Sequence, residues 1–213
     1  MTQFSAFAFR RFTKNANVDA NYDTMSTVPN TGSVVPHSGP LRYLYDTAQA
    51  DDIEWKDSAF WQKFMQIEFN SQDRYSVLAE QSPDGSRRRV DLTVLEHGHY
   101  GETITLIVLE ARRRGNSDIG KLETDTLDAA TRYLTFSGAA VVYAMSTWGT
   151  KARCWYVQRA PSMELVPMFG EGKGSRREYV DADSSKGFMI AHSCRYIRGE
   201  IEWEDIETQG DSQ

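Results

Sequence analysis

Polar and apolar positions along this chain follow two periods, and the changes between them mark the elements. Residues 88–96 alternate, with Val90, Leu92 and Val94 on one side and Arg89, Asp91 and Thr93 on the other, which predicts a β-strand with two unlike faces. After a turn at His97–Gly101, residues 103–111 are nearly all apolar, as in a strand covered on both faces. Two stretches instead repeat every three to four residues, as one face of an amphipathic helix does. The first is 58–69, with Phe60, Trp61, Phe64, Met65 and Glu68 in line and Asp57 or Ser58 as N-cap. The second is 117–136, with Ile119, Leu122, Thr126, Ala130 and Tyr133 or Leu134 in line, Ser117 or Asp118 as N-cap, and Gly138 as the stop.

Weaker signals fill the gaps. Tyr75–Glu80 reads as a strand and Ser82–Gly85 as a turn of the Pro-Asp-Gly kind. Ala139–Met145 is a β-rich run, and Trp148–Lys151 turns into a strand at Arg153–Gln158. Residues 13–40 are rich in Asn, Thr, Ser, Gly and Pro and read as loop, Phe169–Ser175 is a glycine-rich loop, and 187–203 is either a helix or strands. The predicted class is α/β (α+β), with a mixed central sheet flanked by helices. The expected divisions are a loop-rich arm over 1–50, a core over 51–160 and a C-terminal extension over 161–213 that packs on the core and ends in an acidic tail.

Composition narrows the function classes. Of 213 residues, 40% are hydrophobic and 12% aromatic, enough for a packed core without staples. No apolar run approaches the ~18 residues of a membrane span, so no membrane role is expected. Two cysteines cannot form a disulfide framework; Cys154 and Cys194 are expected as buried, reduced thiols of an intracellular protein, cytoplasmic or nuclear. The first 18 residues carry Arg10, Arg11 and Lys14 among phenylalanines, with no acid before Asp19. A mitochondrial presequence is one reading of that segment, and a first strand or basic arm is the preferred one. The net charge of −6 excludes a global basic field for nucleic acid, although Arg87–Arg89, Arg112–Arg114 and Arg176–Arg177 are local basic clusters.

Candidate chemistry lies on the two strands around residues 97–102. If they pair as a hairpin, partners share a constant number sum, and a sum of 201 sets Asp91 against Glu110 with side chains on one face. Two carboxylates that close repel and need a proton, a cation or an arginine between them. Mg²⁺ needs only one or two carboxylates together with water and phosphate oxygens, so the pair suits a divalent ion acting on a phosphodiester. Arg112, two residues beyond Glu110, points to the same face and suits a phosphate.

Asp91, followed by Glu110-Ala111-Arg112 at the end of an apolar strand within an α-β-β-β-α-β order, resembles the PD-(D/E)XK restriction-endonuclease-like superfamily. The resemblance covers about residues 58–158. It implies a nuclease in which Asp91 and Glu110 bind Mg²⁺ or Mn²⁺, the Ala111 carbonyl adds a ligand, and a helix before the sheet adds an acid, here Glu68. The following helix can supply a further polar group, here Lys121 or Arg132. Arg113, Arg114 and Arg89 would track the nucleic-acid backbone. The aromatic hairpin Trp148–Tyr156 adds a similarity to fungal effector and toxin domains of this type. The chain departs from the pattern at Val90, where Pro is common, and at Arg112, where the superfamily has Lys. Arginine stays protonated and cannot act as a general base. Two further readings therefore stand beside a nuclease: a catalytically inactive module on the same fold that binds nucleic acid or a protein partner, and an interaction protein of unrelated α/β fold.

Other motifs carry less. His97 and His99 have the spacing of two metal ligands but no further Cys or His nearby, so a turn pair is expected. Gly170–Ser175 lacks the G-x-x-x-x-G-K-[ST] pattern of a phosphate loop. Ser146 and His192 stand in no recognisable hydrolase order. Trp148 is a candidate for stacking on a base.

Overall fold

The computed structural model describes residues 32–98, 101–115 and 118–202. The basic N-terminal segment, His99, Ser117 and the acidic tail past residue 202 lie outside the described residues. In chain order the elements are α1 (Pro40–Ala50), α2 (Glu54–Glu68), β1 (Tyr75–Gln81), β2 (Val90–His97), β3 (Thr103–Arg112), α3 (Ile119–Ser137), β4 (Val141–Trp148), β5 (Lys151–Gln158), β6 (Val166–Pro167), a 3₁₀ turn at Arg176–Glu178, β7 (Val180–Asp181) and α4 (Phe188–Arg198). The fold is mixed α+β. Its seven described strands form one sheet in the order β1-β2-β3-β4-β5-β6, with β7 also pairing β5. Only β3 and β4 run parallel, and they are joined through α3; the other pairings are antiparallel.

Strand alternation sorts the core onto two faces. On one face Leu92, Val94, Ile107, Leu109, Ala111, Tyr143 and Met145 pack with α1 (Leu41, Tyr45, Ala48), α2 (Phe60, Trp61, Phe64, Met65) and α4 (Ile190, Cys194, Ile197). On the other, Val108, Val142, Ala144, Trp155 and Val157 pack with Ala129, Ala130, Tyr133 and Leu134 of α3. β3 is buried from Leu106 to Ala111, as its apolar run predicts, but its start is open, with Thr103 and Ile104 exposed.

Two boundaries depart from the sequence reading. Residues 40–50 form a helix that enters the main core, where a loop-rich arm was expected. Pro40 opens it at the first turn, where the missing N–H costs nothing, and Leu41, Tyr45 and Ala48 give it a buried face. The second helix starts at Glu54, so Asp57 is not a cap but a buried first-turn residue; Glu54 and Asp57 suit the positive end of the helix dipole. Residues 188–198 settle as helix. The third helix is capped as expected: the Asp118 side chain accepts from the Lys121 N–H at 2.8 Å, and Gly138 closes it in the left-handed conformation at φ 71°.

Candidate functional site

The β2–β3 hairpin carries the predicted register where it matters. Leu92, Thr93 and Val94 lie opposite Leu109, Val108 and Ile107, and continuing that ladder by one residue sets Asp91 against Glu110. A bulge between Val94 and Leu95 shifts the register by one toward the turn, so the irregularity falls at the far end from the acids. Glu110 lies between Leu109 and Ala111 of the α2 face and therefore points to the α3 face. The Asp91 carboxylate reaches across the strand gap and accepts from the Ala111 N–H at 2.6 Å.

The pair is electrostatically tense. Burial first, and then Asp91 beside it, push the Glu110 carboxyl up to about 8 against the opposing charge of Arg112. Burial also raises Asp91, against the Ala111 hydrogen bond and the Arg112 charge. Glu110 is 8% exposed. Among the described residues no hydrogen bond reaches its carboxyl group, so near neutral pH it holds a proton that a cation would displace.

Arg112 is committed on two sides. Its Nη1 donates to the Ala111 carbonyl at 2.7 Å, and its Nη2 donates to Asp125 Oδ2 at 2.8 Å. Asp125, on α3, also receives Lys121 Nζ at 3.2 Å. The sequence reading missed Asp125. The signal available was its place four residues after Lys121, one helical turn along the same face. Lys121 thus stands at the site through Asp125. Arg132 is one of the charges that lower Glu110, but its own contacts are with Asp128, Asp84 and the Arg88 carbonyl.

Glu68, expected as a further metal ligand, is elsewhere. It sits at the C-terminal end of α2 and pairs with Arg198 of α4 at 3.1 Å. The first turn of α2 is the end near the site, since Glu54 is among the charges that raise Asp91, and Glu68 is about 20 Å of helix away at ~1.5 Å per residue. Among the described residues no three His, Cys, Asp or Glu side chains form a metal-sized cluster.

The expected backbone-tracking arginines divide. Arg113 is exposed. Arg89 is exposed but lies on Glu80, donating to its carbonyl at 3.2 Å. Arg114 is a structural tie instead: it donates to the side chain and carbonyl of Gln49 at 2.6 Å each, and its stem lies so close to Gly149 that a Cβ there would meet it at 2.3 Å.

The remaining motifs resolve as packing. Both His97 ring nitrogens have partners, Ser76 at 2.8 Å and Thr103 at 3.1 Å. Cys154 and Cys194 are buried and unpaired, and burial pushes the Cys154 thiol up to about 12, far from a nucleophile. Trp148 donates to the Arg114 carbonyl, and Arg176 and Lys151 lie over its ring at 5.0 and 5.7 Å. Ser146 is locked between Trp155 Nε1 and the Tyr179 hydroxyl, each at 2.8 Å. It faces α3, whereas His192 is on α4 on the other face of the sheet. The glycine-rich loop closes on this network through the Gly174 N–H, which donates to Glu123 at 2.7 Å. Beneath it Arg153 is wholly buried over Trp155 and donates to the Glu171 carbonyl.

Comparison of the chain with known protein families, with curated proteins and with solved structures returned no match in any of the three. Among the described residues no helix is long and apolar enough to cross a membrane.

Proposed function

We propose that this chain is a divalent-cation-dependent phosphodiesterase acting on nucleic acid, with a site of the restriction-endonuclease-like kind. The observation that supports the reading is the Leu92–Leu109 ladder, whose continuation by one residue brings Asp91 opposite Glu110, with Arg112 bonded to Asp125 of α3 beside them. The donor set fits a hard cation: a buried carboxyl without a hydrogen bond, a second carboxylate beside it, and the neighbouring carbonyl of Ala111. Asp91 and Glu110 would hold Mg²⁺ or Mn²⁺, and the ion would supply charge neutralisation at the phosphate and a more acidic bound water.

The protein's own groups have separable roles in this reading. The Ala111 N–H fixes the Asp91 carboxylate. Burial holds the Glu110 carboxyl up at about 8, so a bound cation would favour its charged form. Arg112 and Lys121, gathered by Asp125, present two cations to a phosphodiester oxygen. No general base is assigned, because the arginine cannot surrender its proton.

Glu110→Gln should remove Mn²⁺-dependent cleavage of a labelled oligonucleotide while leaving the thermal unfolding midpoint within a few degrees. Full cleavage by that variant would refute the assignment. A second reading, an inactive binding module on this fold, draws on one observation: Arg112 is engaged by Asp125 and by the carbonyl a metal would need. Oligonucleotide binding without Mn²⁺ uptake would select it.

A further inference from the structure

The Arg112 guanidinium does more than stand near the acids. One edge of it donates to the Ala111 carbonyl at 2.7 Å and another to Asp125 at 2.8 Å. The carbonyl belongs to the residue directly after Glu110, and the N–H of the same residue holds Asp91. A delocalised positive charge is therefore seated on the Ala111 carbonyl and within Coulombic reach of both acids. A hard cation bound by these groups would need that carbonyl oxygen and the space in front of it. Guanidinium donors and a metal ion are alternative partners for one carbonyl and one acidic pair.

We propose that Arg112 is a built-in counter-cation of the Asp91–Glu110 pair, latched by Asp125, and that a divalent ion enters only as this guanidinium leaves the Ala111 carbonyl. The inference rests on the divalent-cation reading of the site and adds its regulation. The residue that would grip a phosphodiester also competes with the metal, so a phosphate-bearing ligand that draws Arg112 outward favours metal entry, and by linkage the metal favours that ligand. The side chain is suited to both positions. It is 22% exposed, it is tethered through a flexible stem, and its planar fork matches a phosphate as well as a carboxylate. Lys121 shares Asp125 but makes no contact with the Ala111 carbonyl, which separates the effect of seat occupancy from the effect of charge alone.

Calorimetric titration of the full chain with Mn²⁺ alone tests the proposal in the wild type, Arg112→Gln, Arg112→Met, Lys121→Gln and the Arg112→Gln/Glu110→Gln double variant. The expected result is Mn²⁺ affinity raised tenfold or more by either Arg112 substitution, twofold or less by Lys121→Gln, and lost in the double variant. Equal affinity of wild type and both Arg112 variants, with binding still dependent on Glu110, would overturn the counter-cation while leaving the metal site standing. Equal gains from Lys121→Gln and Arg112→Gln would also overturn it, since charge alone would then explain the effect. No Mn²⁺ uptake by any variant would remove the metal site and the counter-cation together. Arg112→Met retains the alkyl stem, so a folding loss peculiar to the glutamine variant would not obscure the answer.

Discussion

Asp57 is 1% exposed, and among the described residues neither of its carboxylate oxygens has a hydrogen-bond partner. Burial pushes it up to about 7 from an ordinary 3.8, with Arg114 opposing and Asp52 and Glu54 assisting. Its folded form thus holds a proton more tightly than its unfolded form. That contribution to stability is complete below about pH 4 and is lost as pH rises toward 7. At ~1.4 kcal/mol per unit the loss across that window is of order a few kcal/mol. Asp57→Asn should therefore gain on the wild type as pH rises: the difference in their unfolding midpoints should be small at pH 5 and favour the variant by several degrees at pH 8. A difference independent of pH would show that the carboxyl is solvated. Asp57 itself was legible in the sequence only as a cap. Its burial depends on α2 starting four residues earlier, which the spacing of Phe60, Trp61, Phe64 and Met65 does not fix.

At the scale of the element, α3 links stability to the site. Its N-cap Asp118 accepts from the Lys121 N–H, and Lys121 and Asp125 lie within the next two turns. Asp118→Ala should cost about 1 kcal/mol, read as a lower denaturation midpoint with an unchanged slope against urea. An unaltered midpoint would mean that the first turn is held by packing of Ile119 and Leu122 alone. The β2–β3 hairpin was readable because the alternation of β2 and the glycines at the turn allow the 201 register, with a one-residue slip left open. The bulge at Val94/Leu95 was not readable, because shifting the pairing near the turn leaves the alternating pattern of the rest intact. The first helix was missed because Pro and Gly dominate its approach, and only Pro40 at the first turn with Leu41, Tyr45 and Ala48 behind it signals a start.

Across the whole molecule, α4 is tied back to α2 by Arg198. It donates to both the carbonyl and the carboxylate of Glu68 and pairs with Glu200 at 2.7 Å. Glu68 is 8% exposed, so removing its partner leaves a buried charge. Arg198→Met should cost about 3 kcal/mol, seen as a drop in the unfolding midpoint, and Glu68→Gln should leave Mn²⁺ affinity unchanged. A loss of metal binding on Glu68→Gln would return this residue to the site. Local features were legible from the order of residues alone: the two helices at 3.6 periodicity and the strands on either side of residues 97–102. Strand period and pairing register are short-range consequences of the pleat, so neighbouring residues carry them. Which distant groups complete each charge is set by the packed fold instead. Asp125 meets Arg112 across 13 positions, and Arg198 meets Glu68 across 130. Those partnerships depend on the crossover of α3 and the return of α4 onto opposite faces of one sheet, and no local pattern along the chain encodes where a buried charge finds its counterpart.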